Sequence, residues 1–271
     1  MENIVLYCKS YRGDVKRVKK LKDSIEKYNK DNIPFYVSCP KEDKQLFKDN
    51  LGTKNYTLID DENIYEIKSK GIDGWRSQQL VKSFFHRLKV TKNYFCLDSD
   101  AYFIKNFYID DFIAEGDIPY TLIHENKELQ QYRKLFHNSS FQTCGYAKAV
   151  RSYRDIFGSS YKKIYDYGPN PYLWSCKVWE HFHKNYLNAN NISYEDFQII
   201  MEHQYKIQMR EACTYGEYLL ATKVIDIIPT CPFFKVYHWQ EMVDFEKKNN
   251  IFNEDILKES YLGIIYQSNI K

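Results

Sequence analysis

The sequence predicts an α/β fold, a mostly parallel sheet flanked by helices and followed by a more helical C-terminal part. Two observations carry this. Short apolar runs rich in β-branched and aromatic residues alternate with amphipathic stretches of helical period from the first residues onward, which is the order that builds a parallel, doubly wound sheet. The 271 residues, 44% hydrophobic and 28% charged, are enough for one sizeable domain with a substantial core.

Residues 4–8 read as a buried strand, 9–14 as a loop, and 15–28 as an amphipathic helix with Val15, Val18, Leu21 and Ile25 on one face. A second strand spans 34–38, a helix 41–49, and a third strand over 56–59 ends in Asp60-Asp61. A glycine-punctuated loop, 71–76, feeds a helix over 77–89 with Leu80, Phe84 and Leu88 inward. That helix runs directly into an apolar strand ending at Asp98. Beyond it come short strands at 102–104 and 118–123, a turn at 168–170, and helices at 127–135, 175–188, 194–205 and 217–224. A late strand, 233–239, and a polar helical tail close the chain.

Composition excludes some classes. With 39 Lys+Arg against 36 Asp+Glu, the net charge of +3 does not suggest a nucleic-acid binder. None of the seven cysteines forms a Cys-x-x-Cys pair, and Cys8, Cys96 and Cys176 sit in or beside apolar runs, as small core residues do in a reducing compartment. The run at 4–8 is too short for a signal peptide and no stretch is long enough to span a bilayer, so a soluble, cytoplasmic protein is expected. Peripheral membrane association stays open.

The chemistry concentrates in Asn93-Tyr94-Phe95-Cys96-Leu97-Asp98-Ser99-Asp100. A strand here delivers two aspartates to the carboxyl edge of the sheet, where open α/β folds bind ligands. Paired carboxylates repel unless a cation sits between them, and hard oxygen ligands suit Mg²⁺ or Mn²⁺. The competing reading is a turn in which Asp and Ser bond the local backbone. Gln78, Gln79 and Lys82 precede this strand at the start of a helix, where anions are favoured and Lys82 can reach a phosphate.

Gly74-Trp75-Arg76-Ser77-Gln78-Gln79-Leu80-Val81-Lys82, followed by the strand and Asp98-Ser99-Asp100, resembles GT-A-type glycosyltransferases. In particular it is similar to a poorly characterised microbial and viral branch with the pattern Gly-Trp-x-x-Gln-Gln-x-x-Lys and then Asp-Ser-Asp. A downstream Glu-Tyr pair in that branch is matched by Glu217-Tyr218. The resemblance covers about Ile4 to Tyr237.

It implies a single GT-A-like, Rossmann-like domain over 1–271: a nucleotide-binding half (1–104), an acceptor and sugar half (105–240) and a helical tail (241–271). It implies a metal, Mn²⁺ or Mg²⁺, at Asp98 and Asp100. The donor would be a nucleoside-diphosphate sugar and the acceptor a carbohydrate or lipid-linked glycan. Ser10, Tyr11, Asp14 and Ser38 would meet the base and ribose, and Gln78, Gln79 and Lys82 the phosphates. His238, late in the sheet, would complete the metal's coordination, or else pack as a histidine among Tyr237 and Trp239. Glu217, taken as a helix-start carboxylate, would orient or deprotonate the acceptor hydroxyl. Asp196 is its rival, although Ser193 and Asp196 also fit a capping box. Trp174 would stack on a sugar, or else lie in the core. Two alternatives remain: a catalytically silent nucleotide-sugar-binding protein, and a haloacid-dehalogenase-like phosphohydrolase, which wants its Asp-x-Asp nearer the N-terminus.

Overall fold

In the computed structural model, residues 1–68, 73–168, 171–251, 253–267 and 270 are described. Strand and helix alternate from the start: β1 (Glu2–Lys9), α1 (Val15–Tyr28), β2 (Phe35–Cys39), α2 (Lys44–Leu51), β3 (Thr57–Asp60), the single turn α3 (Asp61–Ile64), α4 (Gly74–Phe84) and β4 (Thr91–Leu97). There follow β5 (Ala101–Phe103), β6 (Thr121–Leu122), α5 (Lys127–His137), α6 (Gly145–Phe157), β7 (Tyr172–Ser175) and α7 (Cys176–His181), which a π-turn extends to Leu187. The chain closes with α8 (Tyr194–His203), α9 (Glu211–Thr222), β8 (Pro229–Thr230), β9 (Phe234–Tyr237), α10 (Gln240–Lys248), α11 (Glu254–Ser260) and β10 (Gly263–Tyr266).

The central sheet has the order β3-β2-β1-β4-β7. β1 to β4 run parallel, and only β7 is antiparallel, against β4. Strand alternation splits the core between the two faces of this sheet. Val5, Tyr7, Tyr94 and Cys96 pack towards α4, α7 and α9, whereas Leu6, Cys8, Phe95 and Leu97 pack towards α1 and β5. β1 therefore reads as a continuous apolar run because both of its faces are covered. Two smaller sheets, β5-β10-β9 and β6-β8, extend the fold. Among the described residues no helix is long and apolar enough to cross a membrane.

The first half matches the expected order, and four differences mark the second. The helix expected from 217 begins at Glu211. Gly216 looks like a helix start but lies inside α9, where an added Cβ would collide with the Tyr167 ring. The segment before the helix expected over 175–188 is a strand, β7, since Tyr172 to Ser175 pair with β4; the helical stretch itself is found, over Cys176 to Leu187. α6 is an additional helix, and Arg154, which interrupts its apolar stripe, is buried and paired to Glu217. The tail is not wholly helical, as its last strand, β10, is buried between β5 and β9. Gly71 and Ile72 of the glycine loop and residues 169–170 of the expected turn lie outside the described residues.

Candidate active site

Because β1 to β4 are parallel, their carboxyl ends share one edge, and the segments following them converge there. An outer cavity of about 700 Å³ is lined by Lys9, Ser10, Tyr11 and Asp14 after β1, Pro40 after β2, Asp61 after β3, and Asp98, Ser99 and Asp100 after β4. Gly74, Trp75, Ser77 and Gln78 of α4 form another wall. An inner cavity of about 300 Å³ shares Trp75, Gln78, Asp98 and Gln267 with it. Its other walls include Lys82, Arg133, Asp166, Tyr172, Arg210, Glu211 and His238. Asp98 thus stands where the two cavities meet.

Asp98 accepts a bond from Lys82 Nζ at 2.6 Å, and the same ammonium lies 3.5 Å from Glu211. Lys82 is almost fully buried; burial acts to lower its pKa, and Asp98 and Glu211 more than reverse this, so it stays protonated. Asp100 is different. Its Oδ1 is shut off from solvent and has no hydrogen-bond partner among the described residues. Burial, and then the charge of Asp98, push its pKa up to about 7. A cation would relieve both the repulsion and the orphaned oxygen, so the pair fits a hard divalent ion. Ser10 Oγ and Asp61 Oδ1 in the outer cavity are likewise buried without hydrogen-bond partners. These are the marks of a polar ligand site.

The structure brings several of the expected residues together here. Ser10, Tyr11, Asp14, Gln78, Lys82, Asp98 and Asp100 line the cleft. Gln78 and Lys82, four apart on α4, share the face turned towards it. The others need correction. Ser38 is fully buried and its Oγ pairs with Tyr7 Oη at 2.9 Å, so it does not reach the cleft. Gln79 is also fully buried and binds protein: its Oε1 accepts from the Glu211 backbone N–H at 3.1 Å, tying α4 to the start of α9. The first turn of α4 is capped by Asp73, which accepts from Arg76 N, so Gln78 and Gln79 belong to the second turn.

Trp174 lies in the core, its ring edge-on to Tyr94 at 5.7 Å and Trp179 at 5.2 Å. Two residues earlier on the same strand face, Tyr172 reaches the inner cavity and stacks on Trp174 at 4.7 Å. His238 shares the inner cavity with Asp98 but does not line the outer one with Asp100. Burial, with Arg133 and Lys235 nearby, pushes its pKa down to about 4. Among the described residues no three His, Cys, Asp or Glu side chains converge as a metal cage.

Glu217 and Asp196 do not line the cleft. Glu217 is fully buried in mid-helix, held by Arg154 Nε at 3.0 Å to each carboxylate oxygen and by the Tyr167 hydroxyl. Asp196 is exposed and closes a capping box with Ser193, its backbone N–H bonded to Ser193 Oγ at 3.0 Å. The glutamate that lines the inner cavity is Glu211, the first residue of α9, whose pKa burial raises against the pull of Lys82. It lies outside the helix expected over 217–224, which begins six residues earlier. The charged first turn before the apolar run Leu219-Leu220 was the available signal.

Residues 3–251 match the profile of a family described as a family of unknown function (DUF6492). No curated protein matches the sequence. Solved structures share the fold, among them two glycosyltransferases. Mouse xyloside xylosyltransferase 1, in its apo form, aligns with a TM-score of 0.52 and 9% identity over 99% of both chains. The WbbM bifunctional glycosyltransferase, also apo, aligns with a TM-score of 0.53 and 10% identity over 99% of this chain and 46% of that one. At such identities the likeness establishes the fold, an α/β architecture of the glycosyltransferase type.

Proposed function

The chain belongs to the family of unknown function DUF6492, and we propose that it is a metal-dependent glycosyltransferase. It would move a sugar from a nucleoside-diphosphate sugar to a hydroxyl group of a glycan or lipid-linked glycan. The observation that carries this reading is the position of the two aspartates. Asp98 stands where a nucleotide-sized cavity meets a sugar-sized one, and Asp100, in the wall of the former, keeps a buried, unpartnered carboxylate oxygen. The fold shared with two glycosyltransferases supports the reaction class.

On this reading the nucleoside occupies the outer cavity, with Ser10 Oγ and Asp61 Oδ1 available to its polar groups. Mn²⁺ or Mg²⁺ held by Asp98 and Asp100, with phosphate and water oxygens as further ligands, would neutralise the charge left as the sugar–phosphate bond breaks. Lys82 donates to the departing diphosphate oxygen, which keeps the electron pair of the broken bond. The acceptor oxygen bonds to the anomeric carbon and its proton passes to Glu211. Gln79, bonded to the Glu211 backbone, positions that carboxylate, and Tyr172 offers a ring to the sugar.

A thermal-shift screen of uridine and guanosine diphosphates, with and without Mn²⁺, tests the proposal. One of them, present at about a hundred times its dissociation constant, should stabilise the protein by about 2.7 kcal/mol, and only with the metal. The matching nucleotide sugar should then be slowly hydrolysed. Equal stabilisation without metal would remove the metal from the account. Tight binding without hydrolysis or transfer would favour the silent nucleotide-sugar-binding protein.

A further inference from the structure

Taking from the proposed function only that the inner cavity receives a sugar, we infer that this sugar carries an anionic group, a carboxylate or a phosphate, gripped by Arg133 and Arg210. Both side chains line the cavity of about 300 Å³ that opens at Asp98. Neither guanidinium has an ion-pair partner among the described residues. Arg133 Nε is shut off from solvent and has no hydrogen-bond partner there, while its guanidinium carbon lies 5.9 Å from the centre of the Trp239 ring. Arg210 is the N-cap residue of α9, anchored by its backbone N–H to Tyr153 Oη at 3.0 Å, so its side chain projects from a fixed point.

The other charges of the cavity are already satisfied. Lys82 is shared between Asp98 and Glu211. Asp166 accepts from the Asn126 side-chain amide and from Gly168 N at 3.2 Å; burial pushes its pKa up to about 6, and Arg210, nearby, works against this without bonding it. His238 is held neutral by burial and by Arg133. Two cationic forks are therefore left over in a pocket of sugar size. The buried Arg133 Nε without a partner is costly, and the guanidinium fork of either half-buried arginine matches the two oxygens of a carboxylate or phosphate. A neutral hexose would leave both forks unmet.

The test is calorimetric titration of the whole chain, wild type and Arg133→Gln, Arg210→Gln and Arg210→Lys variants. The probes are glucose, glucuronate, glucose 6-phosphate, and uridine or guanosine diphosphate with Mn²⁺. At least one of the two sugar anions should bind about tenfold or more tightly than glucose, and either Gln variant should erase that preference, with Arg210→Lys in between. Affinity for the metal–nucleotide should stay within about twofold, because the arginines lie beyond Asp98. A wild-type protein with no preference for the anions overturns the inference. So does a loss of metal–nucleotide affinity as large as that for the sugar, which would give the arginines to the diphosphate. Nucleotide-linked hexose and hexuronate then locate the source: a preference for the hexuronate that needs the arginines places the anion on the donor. Equal affinity for the two, with sugar anions still binding the metal–nucleotide complex, places it on the acceptor. If no nucleotide binds but the arginine-dependent anion preference persists, the transferase reading fails while this one stands.

Discussion

Glu211→Gln should lower turnover by about 10²–10⁴-fold, the usual contribution of a general base, while leaving affinity for the metal–nucleotide almost unchanged. Glu211 stands at the inner end of the cleft, beyond Asp98 as seen from the nucleotide-sized cavity, and its backbone is fixed by Gln79. Burial raises its pKa, which makes it a better proton acceptor than an exposed glutamate. The amide is nearly isosteric, and Lys82 keeps its bond to Asp98, so the fold should hold. Steady-state kinetics separate the outcomes. A fall in the catalytic constant with the donor KM unchanged assigns Glu211 to the acceptor. A loss below about tenfold would limit it to orienting the hydroxyl, as suits a retaining enzyme, and weakened donor binding at full turnover would contradict the assignment.

Glu217→Ala should instead cost stability, about 3–5 kcal/mol, because it strands a buried guanidinium. Arg154 is almost as buried as Glu217; its remaining bonds go to the carbonyl oxygens of Tyr161, at 2.9 Å, and Lys163, neither of which neutralises its charge. Tyr167 would lose its acceptor as well. Urea denaturation should show the midpoint fall at constant slope. A Glu217→Ala protein of wild-type stability and no transfer activity would return Glu217 to the acceptor site.

These two glutamates show how far the sequence could be read. The sheet-building first half was legible because its elements follow simple rules: short continuous apolar runs in β1 and β4, buried on both faces, and period 3.6 in α1. The aspartate pair and the loop after β1 were legible for the same reason, since strand ends fix where loops go. What was hidden depends on partners distant in sequence. Gly216 is tolerated inside α9 only because the Tyr167 ring occupies the space of its missing side chain. Arg154 can sit within a buried helix face only because Glu217 is opposite. Tyr172 rather than Trp174 reaches the cleft because β7 pairs with β4, a register that the motif around it does not encode. Gln267, contributed by the chain just after β10, joins the site from a tail expected to be polar and helical.

The central claim is that Asp98 and Asp100 hold a cation which carries the diphosphate. It is tested most directly by titrating the nucleoside diphosphate identified in the screen into wild type and Asp100→Ala, each with and without Mn²⁺. Asp100 contributes a buried, unpartnered oxygen and a raised pKa, so its removal should leave the melting temperature unchanged or higher. The account predicts that Mn²⁺ tightens nucleotide binding in the wild type and has no effect in Asp100→Ala. Full metal-dependent binding by a folded Asp100→Ala protein would contradict it.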